Sequence, residues 1–357
     1  MIKLGSIIKG RYLVESCLKK GPLNCVYRVS DLRNPGVLLT VKELASAQDV
    51  PEYAAAQQML RTEVDLLARL RHPGIVSIVD TFVYGEHLCL VTEYLEGVSL
   101  HQLVREEGPQ SEARVREWVH EIAQVLMFLH AQKPPIVYRD MKPANVMLLP
   151  NGQLKLLDLG TAREYKAAGR AHDTVAFGTH GYAPPEQYGQ SQTDIRADVY
   201  ALGASMWHLL AGKVPAAQVP LSNICTERRD VSAQMAQVIA RCTQPKRQER
   251  FANCEELLAF LDAPQEALKA SLFSRLSERF LLKKPPTGGA VQGCVGAVEA
   301  GGVQPQAPAR AQTRMGSVSF GMPADNLAKK NNTADAFSFI IAHDELVVHT
   351  SERLEGE

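Results

Sequence analysis

The hydrophobic pattern of the chain changes its period once, near residue 100, and that change limits the fold more than any other feature. Over about residues 11–94 the apolar residues come in short runs, at 37–41, 75–79 and 88–92, separated by Gly, Pro and polar residues. Such runs read as strands. One helix interrupts them over 51–70, with Leu60, Val64, Leu67 and Leu70 at helical spacing, ending before His72-Pro73-Gly74. From Leu100 onward the spacing becomes i, i+3, i+4, giving expected helices at 113–130, 197–211, 232–242 and 254–261. Between the first two lie short strands around 136–137, 146–149 and 154–157, the last pair joined by Asn151-Gly152, a hairpin dipeptide. The expected class is α+β, with a strand-rich N-terminal lobe before a helical C-terminal lobe.

Charge and cysteine content narrow the partners. Lys and Arg together number 39 and so do Asp and Glu, so there is no net basic field to attract nucleic acid. The seven cysteines are odd in number and never spaced C-x-x-C, which argues against a disulfide framework or a zinc cluster and for a reducing compartment. No run approaches the roughly 18 apolar residues of a membrane span, and the first residues lack a signal-peptide pattern, so a cytoplasmic location is expected. Cys25 is the thiol expected to be most accessible.

After Asp262 the composition shifts again. Residues 266–284, within a segment 263–284, place Leu268, Leu272, Leu276 and Phe280 on one face among Lys and Arg, as a basic amphipathic helix would. We expect it to pack on the helical lobe; the alternative is weak contact with a membrane surface. Residues 285–323 have linker composition, and 324–357 contain FSFIIAHDELVVHT, two short strands about a polar turn. The tail as a whole is expected to be largely disordered apart from this hairpin.

The chemistry is concentrated in Tyr138-Arg139-Asp140-Met141-Lys142-Pro143-Ala144-Asn145, on a loop between strands. Moving a phosphoryl group from ATP needs a carboxylate to orient the acceptor hydroxyl, a cation for the γ-phosphate and hard oxygen ligands for metal. Asp140, Lys142 and Asn145 offer these in order. Asp158-Leu159-Gly160, past the next strand, offers a second metal ligand and a turn.

These motifs, in this order, resemble the eukaryotic-type (Hanks-type) serine/threonine protein kinases in their bacterial wording, over about residues 10–262. The resemblance implies the two-lobed protein kinase fold. It also implies transfer of the ATP γ-phosphoryl group to serine or threonine of protein substrates, with Mg²⁺ (Mn²⁺ as a substitute) and autophosphorylation. Y-R-D-M-K-P-A-N is similar to H-R-D-L-K-P-x-N, and D-L-G to D-F-G. Lys42, in Thr40-Val41-Lys42, resembles the strand lysine on the α/β-phosphates, and Glu63 its helix partner. Thr92 resembles the gatekeeper, with the backbone of Glu93 and Leu95 meeting adenine. Gly178-Thr179-His180-Gly181-Tyr182-Ala183-Pro184-Pro185-Glu186 resembles the end of an activation segment. Asp198, Gly203 and Arg250 resemble structural braces. Thr174 is the expected autophosphorylation site, its phosphate pairing with Arg139, while Thr179 docks the acceptor and contacts Asp140.

The departure lies in the phosphate-covering loop. The pattern G-x-G-x-x-G-x-V, counted back from Val26, places Lys19, Gly21 and Asn24 at the glycine positions, so Gly21 alone is kept. That loop motivates an alternative reading, a pseudokinase scaffold that binds partners without phosphoryl transfer. A small-molecule kinase is a third option, opposed by the peptide-docking segment 178–186.

Overall fold

Residues 1–264, except 22–23, 45–50, 86, 166–175, 189–191, 217–220 and 222, and two strands at 338–342 and 345–349 are described by a computed structural model. The N-terminal strands are β1 (Ile7–Ile8), β2 (Tyr12–Lys20), β3 (Asn24–Asp31), β4 (Leu38–Leu44), β5 (Ile78–Tyr84) and β6 (His87–Glu93). They form one antiparallel sheet in the order β1-β2-β3-β4-β6-β5.

Alternation along the strands sorts side chains to two faces. Cys25, Tyr27 and Val29 of β3 and Leu39 and Val41 of β4 enter an apolar cluster with Tyr12, Val14, Cys89 and Val91. Cys25 is therefore buried, contrary to expectation, because its position in β3 points it into this cluster; Cys17 on β2 is exposed. The opposite parity of β4, Lys42 and Leu44, faces helix α1 (Pro51–Arg69), whose Leu60, Leu66 and Leu67 are buried in the main core.

The strand expected at 75–79 begins later, at Ile78. Ile75 and Val76 are buried for another reason: the Val76 N–H donates to Leu156 O at 3.1 Å, and the Leu156 N–H to Gly74 O at 2.8 Å. Their apolar run thus stitches the link into the helical lobe.

That lobe begins with β7 (Val98–Ser99) and α2 (Leu100–Glu107), followed by α3 (Glu112–His130). Helix α2 escapes the sequence reading because two turns are too short for a period. Its start is fixed by Ser99 Oγ, which accepts the Gln102 N–H at 3.1 Å. Short strands β8 (Ile136–Val137), β9 (Val146–Leu148), β10 (Leu154–Leu156) and β11 (Arg163–Glu164) frame the polar loops, with β10-β9-β7 and β11-β8 as separate ribbons. The chain continues through β12 (Ala176–Thr179), α4 (Arg196–Ala211), α5 (Ile224–Glu227), α6 (Ala233–Cys242) and α7 (Cys254–Asp262).

Helix α4 is buried on all sides from Ala197 to Leu210, so it forms the axis of the lobe. A methyl added at Gly203 would lie 2.3 Å from Cys242 Cβ on α6. Gly203→Ala should therefore destabilise the chain by about 1–3 kcal/mol through overpacking. Thermal denaturation checks this, with a fall in Tm of about 3 °C or more expected.

His208 in the last turn of α4 is buried and its Nδ1 pairs with the Tyr182 hydroxyl. Burial first, and His101 beside it, push its pKa down from 6.5 to about 4. Between those values the unfolded chain takes up a proton that the folded chain refuses, so stability falls as pH drops from 6.5 towards 4, by up to about 3 kcal/mol. His208→Gln, which keeps an acceptor for Tyr182, should flatten that slope in urea titrations across this pH range.

Among the described residues no helix is long and apolar enough to cross a membrane. The expected helix 266–284 and linker 285–323 lie outside the described residues. Strands β13 (Ser338–Ala342) and β14 (Glu345–His349) pair as an antiparallel hairpin.

Candidate active site

The loop between β8 and β9 is held by a buried carboxylate on α4. Asp198, fully buried, accepts the Tyr138 N–H at Oδ2 and the Arg139 N–H at Oδ1, both at 2.8 Å, and its Oδ2 also lies 2.8 Å from His130 Nε2. Three partners offset the desolvation of the charge. Arg139 adopts φ of 70°, a left-handed conformation costing on the order of 1 kcal/mol, which these bonds hold in place. Gln187 Nε2 donates to Arg139 O at 3.0 Å from the other side. Tyr138, standing where histidine is usual, is buried, and its hydroxyl reaches Leu157 O at 3.3 Å; it packs the loop.

So anchored, the loop gathers two side chains, Asp140 and Lys142, on one hydroxyl. Thr179 Oγ1 donates to Asp140 Oδ1 at 2.6 Å and accepts from Lys142 Nζ at 2.8 Å. Lys142 Nζ also lies 3.1 Å from Asp140 Oδ2. The Asn145 amide donates to Asp140 O at 2.9 Å and Asp140 Oδ2 at 2.7 Å. With the amide nitrogen committed to Asp140, the side-chain oxygen of Asn145 is its remaining polar atom. The Leu157 N–H donates to Asn145 O at 2.9 Å, bringing the strand that leads to Asp158 alongside.

A second cluster joins the lobes. Lys42 Nζ lies 2.7 Å from Glu63 Oε2 and 3.0 Å from Asp158 Oδ2. The Gly160 N–H holds Asp158 Oδ1 at 3.0 Å. Burial would lower the Lys42 pKa, but Asp158 and Glu63 outweigh it and hold the ammonium above its ordinary value. Burial, then the charge of Asp158, pushes Glu63 up to about 7 despite Lys42. For Asp158 burial works upward, yet Lys42 and the Gly160 N–H prevail and keep its carboxyl below the usual range. Lys142 also acts on Asp158 at longer range, so the two clusters share one field.

The other expected site residues sit around these clusters. Val26 on β3 is the register partner of Lys42 on β4. Glu93 ends β6; its N–H goes to Ser77 O at 3.0 Å, and its carboxylate takes the Ser77 N–H at 2.8 Å and Lys155 Nζ at 2.6 Å. Leu95 packs partly buried on the main core. The Gly21 N–H donates to Asn24 O at 2.7 Å within the turn between β2 and β3, so that amide is already used. Thr174 lies outside the described residues. Arg250 clamps Glu186 through both guanidinium amines, and also holds Gln244 O, Pro245 O and Arg196 O; this is a brace. His130 and Gln187 support the loop without any local sequence signal, since each meets it only through the fold.

The model of the protein kinase domain family matches residues 12–284. The chain belongs to the protein kinase family. This kinase is 30% identical to PknL of Mycobacterium tuberculosis, a serine/threonine-protein kinase, over 74% of this chain and 68% of the relative. It is likewise 30% identical to serine/threonine-protein kinase B of Synechocystis sp., over 72% of this chain. That match spans 47% of the Synechocystis protein, so the kinase covers about half the length of some curated relatives. The crystal structure of the PknI kinase domain of Mycobacterium tuberculosis, solved as a cysteine-to-alanine mutant, has the same fold: TM-score 0.58 at 24% identity, over 73% of this kinase and 98% of that domain. The bacterial, Hanks-type resemblance and the two-lobed fold thus hold.

Proposed function

We propose that this kinase transfers the γ-phosphoryl group of Mg·ATP to serine or threonine hydroxyls of proteins, its own included. The observation that carries the reading is the Thr179 hydroxyl, which lies 2.6 Å from Asp140 Oδ1 and 2.8 Å from Lys142 Nζ. An acceptor hydroxyl at the same carboxylate would be oriented and would pass its proton to Asp140 as its oxygen attacks the γ-phosphorus and the bond to the β-γ bridging oxygen breaks. Lys142 would offset charge growing on the transferred group. Lys42, held by Glu63, would grip the α/β-phosphates, under a roof formed by Val26 and the Gly21 turn, with adenine against the backbone of Glu93 and Leu95.

The Asn145 side-chain oxygen and the Asp158 carboxylate make a donor set of hard oxygens, which suits Mg²⁺ or Mn²⁺ shared with phosphates rather than a closed protein cage. The metal, when bound, neutralises phosphate charge. Asp158→Ala should remove most divalent-dependent transfer, by about 10²-fold or more, because one of two protein ligands is lost. An Mg²⁺ titration of phosphate incorporation checks this; an unchanged metal requirement contradicts it. We place the kinase domain at 10–262 and the protein in the cytoplasm, both from the sequence arguments above.

A further inference from the structure

We propose that the edge of the activation-segment strand β12 that pairs with β13 is a docking surface for an extended strand, that its occupant in this chain is the C-terminal hairpin, and that the hairpin there competes with protein substrates. The competition rests on the kinase reading; the docking does not.

Strand β13 pairs with β12 in parallel, with Ala176 opposite Ser338, Phe177 opposite Phe339, Gly178 opposite Ile340 and Thr179 opposite Ile341. Strand β14 covers the outer side of β13, so the order is β12-β13-β14 and β13 is central. An isolated two-stranded hairpin is marginal in water, while a third strand supplies a reason to form. An open strand edge is also a ready template for a strand of suitable register. FSFIIAHDELVVHT supplies two apolar, β-prone runs about a His-Asp turn. Roughly 75 residues separate Asp262 from Ser338 in the same chain, and attachment makes the pairing intramolecular.

The position of the pairing gives it a consequence. Its last register pair includes Thr179, whose hydroxyl lies on Asp140 and Lys142. On the kinase reading, an acceptor hydroxyl takes the place of the Thr179 hydroxyl at Asp140 and so brings its backbone towards the residue that β13 pairs with. While β13 holds that edge, an extended acceptor cannot pair with it.

The test compares the full chain with full-chain Ile340→Pro. Proline at the centre of β13 removes a backbone donor and cannot sit within a sheet, and residue 340 lies far along the chain from the catalytic loop. Amide hydrogen exchange over 176–179 is read first, because it needs no catalysis. We expect faster exchange there in Ile340→Pro, and phosphorylation of casein raised at least about fivefold at sub-saturating casein, through a lower KM for casein with the KM for ATP unchanged. Equal exchange in the two proteins would overturn the docking. Faster exchange with unchanged casein kinetics would overturn the competition. Faster exchange with casein unphosphorylated by either protein would uphold the docking and sink the kinase reading instead.

Discussion

Lys42→Met is expected to reduce phosphoryl transfer by on the order of 10²- to 10³-fold while leaving a folded chain. The ammonium is the common partner of Glu63 and Asp158, and without it two carboxylates of adjacent lobes face each other with no cation between them. Stranding a buried charge ordinarily costs several kcal/mol. Here the cost is limited, because burial and the charge of Asp158 already push Glu63 up to about 7 with Lys42 present, so that it can become neutral by taking a proton. Methionine fills the space of the aliphatic stem. Circular dichroism and thermal melting should therefore show a folded protein, less stable at high pH, where a neutral Glu63 is harder to maintain. Initial-rate assays should show the loss. Near-normal turnover in a folded variant contradicts the placement of Lys42 on the nucleotide.

Asp140→Asn is expected to cost about 10²- to 10⁴-fold in kcat, and the loss has a different origin. The carboxylate accepts from Thr179 on one oxygen and from Asn145 on the other, with Lys142 also near the second. An amide has one oxygen only, so one of these donors loses its acceptor, and no group remains to receive the hydroxyl proton. In the proposed roles Lys42, not Asp140, meets the nucleotide, so the KM for ATP should stay within about threefold for Asp140→Asn, whereas for Lys42→Met it should rise. Paired steady-state measurements of the two variants separate the roles. Equal effects on kcat and on the KM for ATP would argue that the two clusters act as one nucleotide site.

The sequence reading succeeds where a local period or an ordered motif carries the information. Alternation in β4 puts Lys42 on the face opposite Val41, and a helical stripe containing Leu60 and Leu67 turns Glu63 towards it; both are visible in the chain. The Asp140, Lys142 and Asn145 spacing likewise fits a single short loop. What escapes is long-range. His130 meets Asp198, 68 residues away, and Gln187 meets Arg139 O, 48 residues away, with nothing local to announce either. Helix α2 escapes for lack of length. Cys25 misleads because its neighbours suggest an open loop, while β3 in fact starts at Asn24 and turns the thiol inward. The pairing of β12 with β13 is equally invisible, since strand partners depend on backbone edges rather than on residue type.

The central claim is that the Asp140 carboxylate serves a protein hydroxyl. The most direct measurement incubates the wild-type chain and casein with Mg²⁺ and γ-labelled ATP, then maps the transferred phosphate by mass spectrometry. Label is expected on serine and threonine of both proteins, dependent on the divalent metal. Bound nucleotide with no phosphate on either protein would contradict it and favour a scaffold that binds partners without phosphoryl transfer.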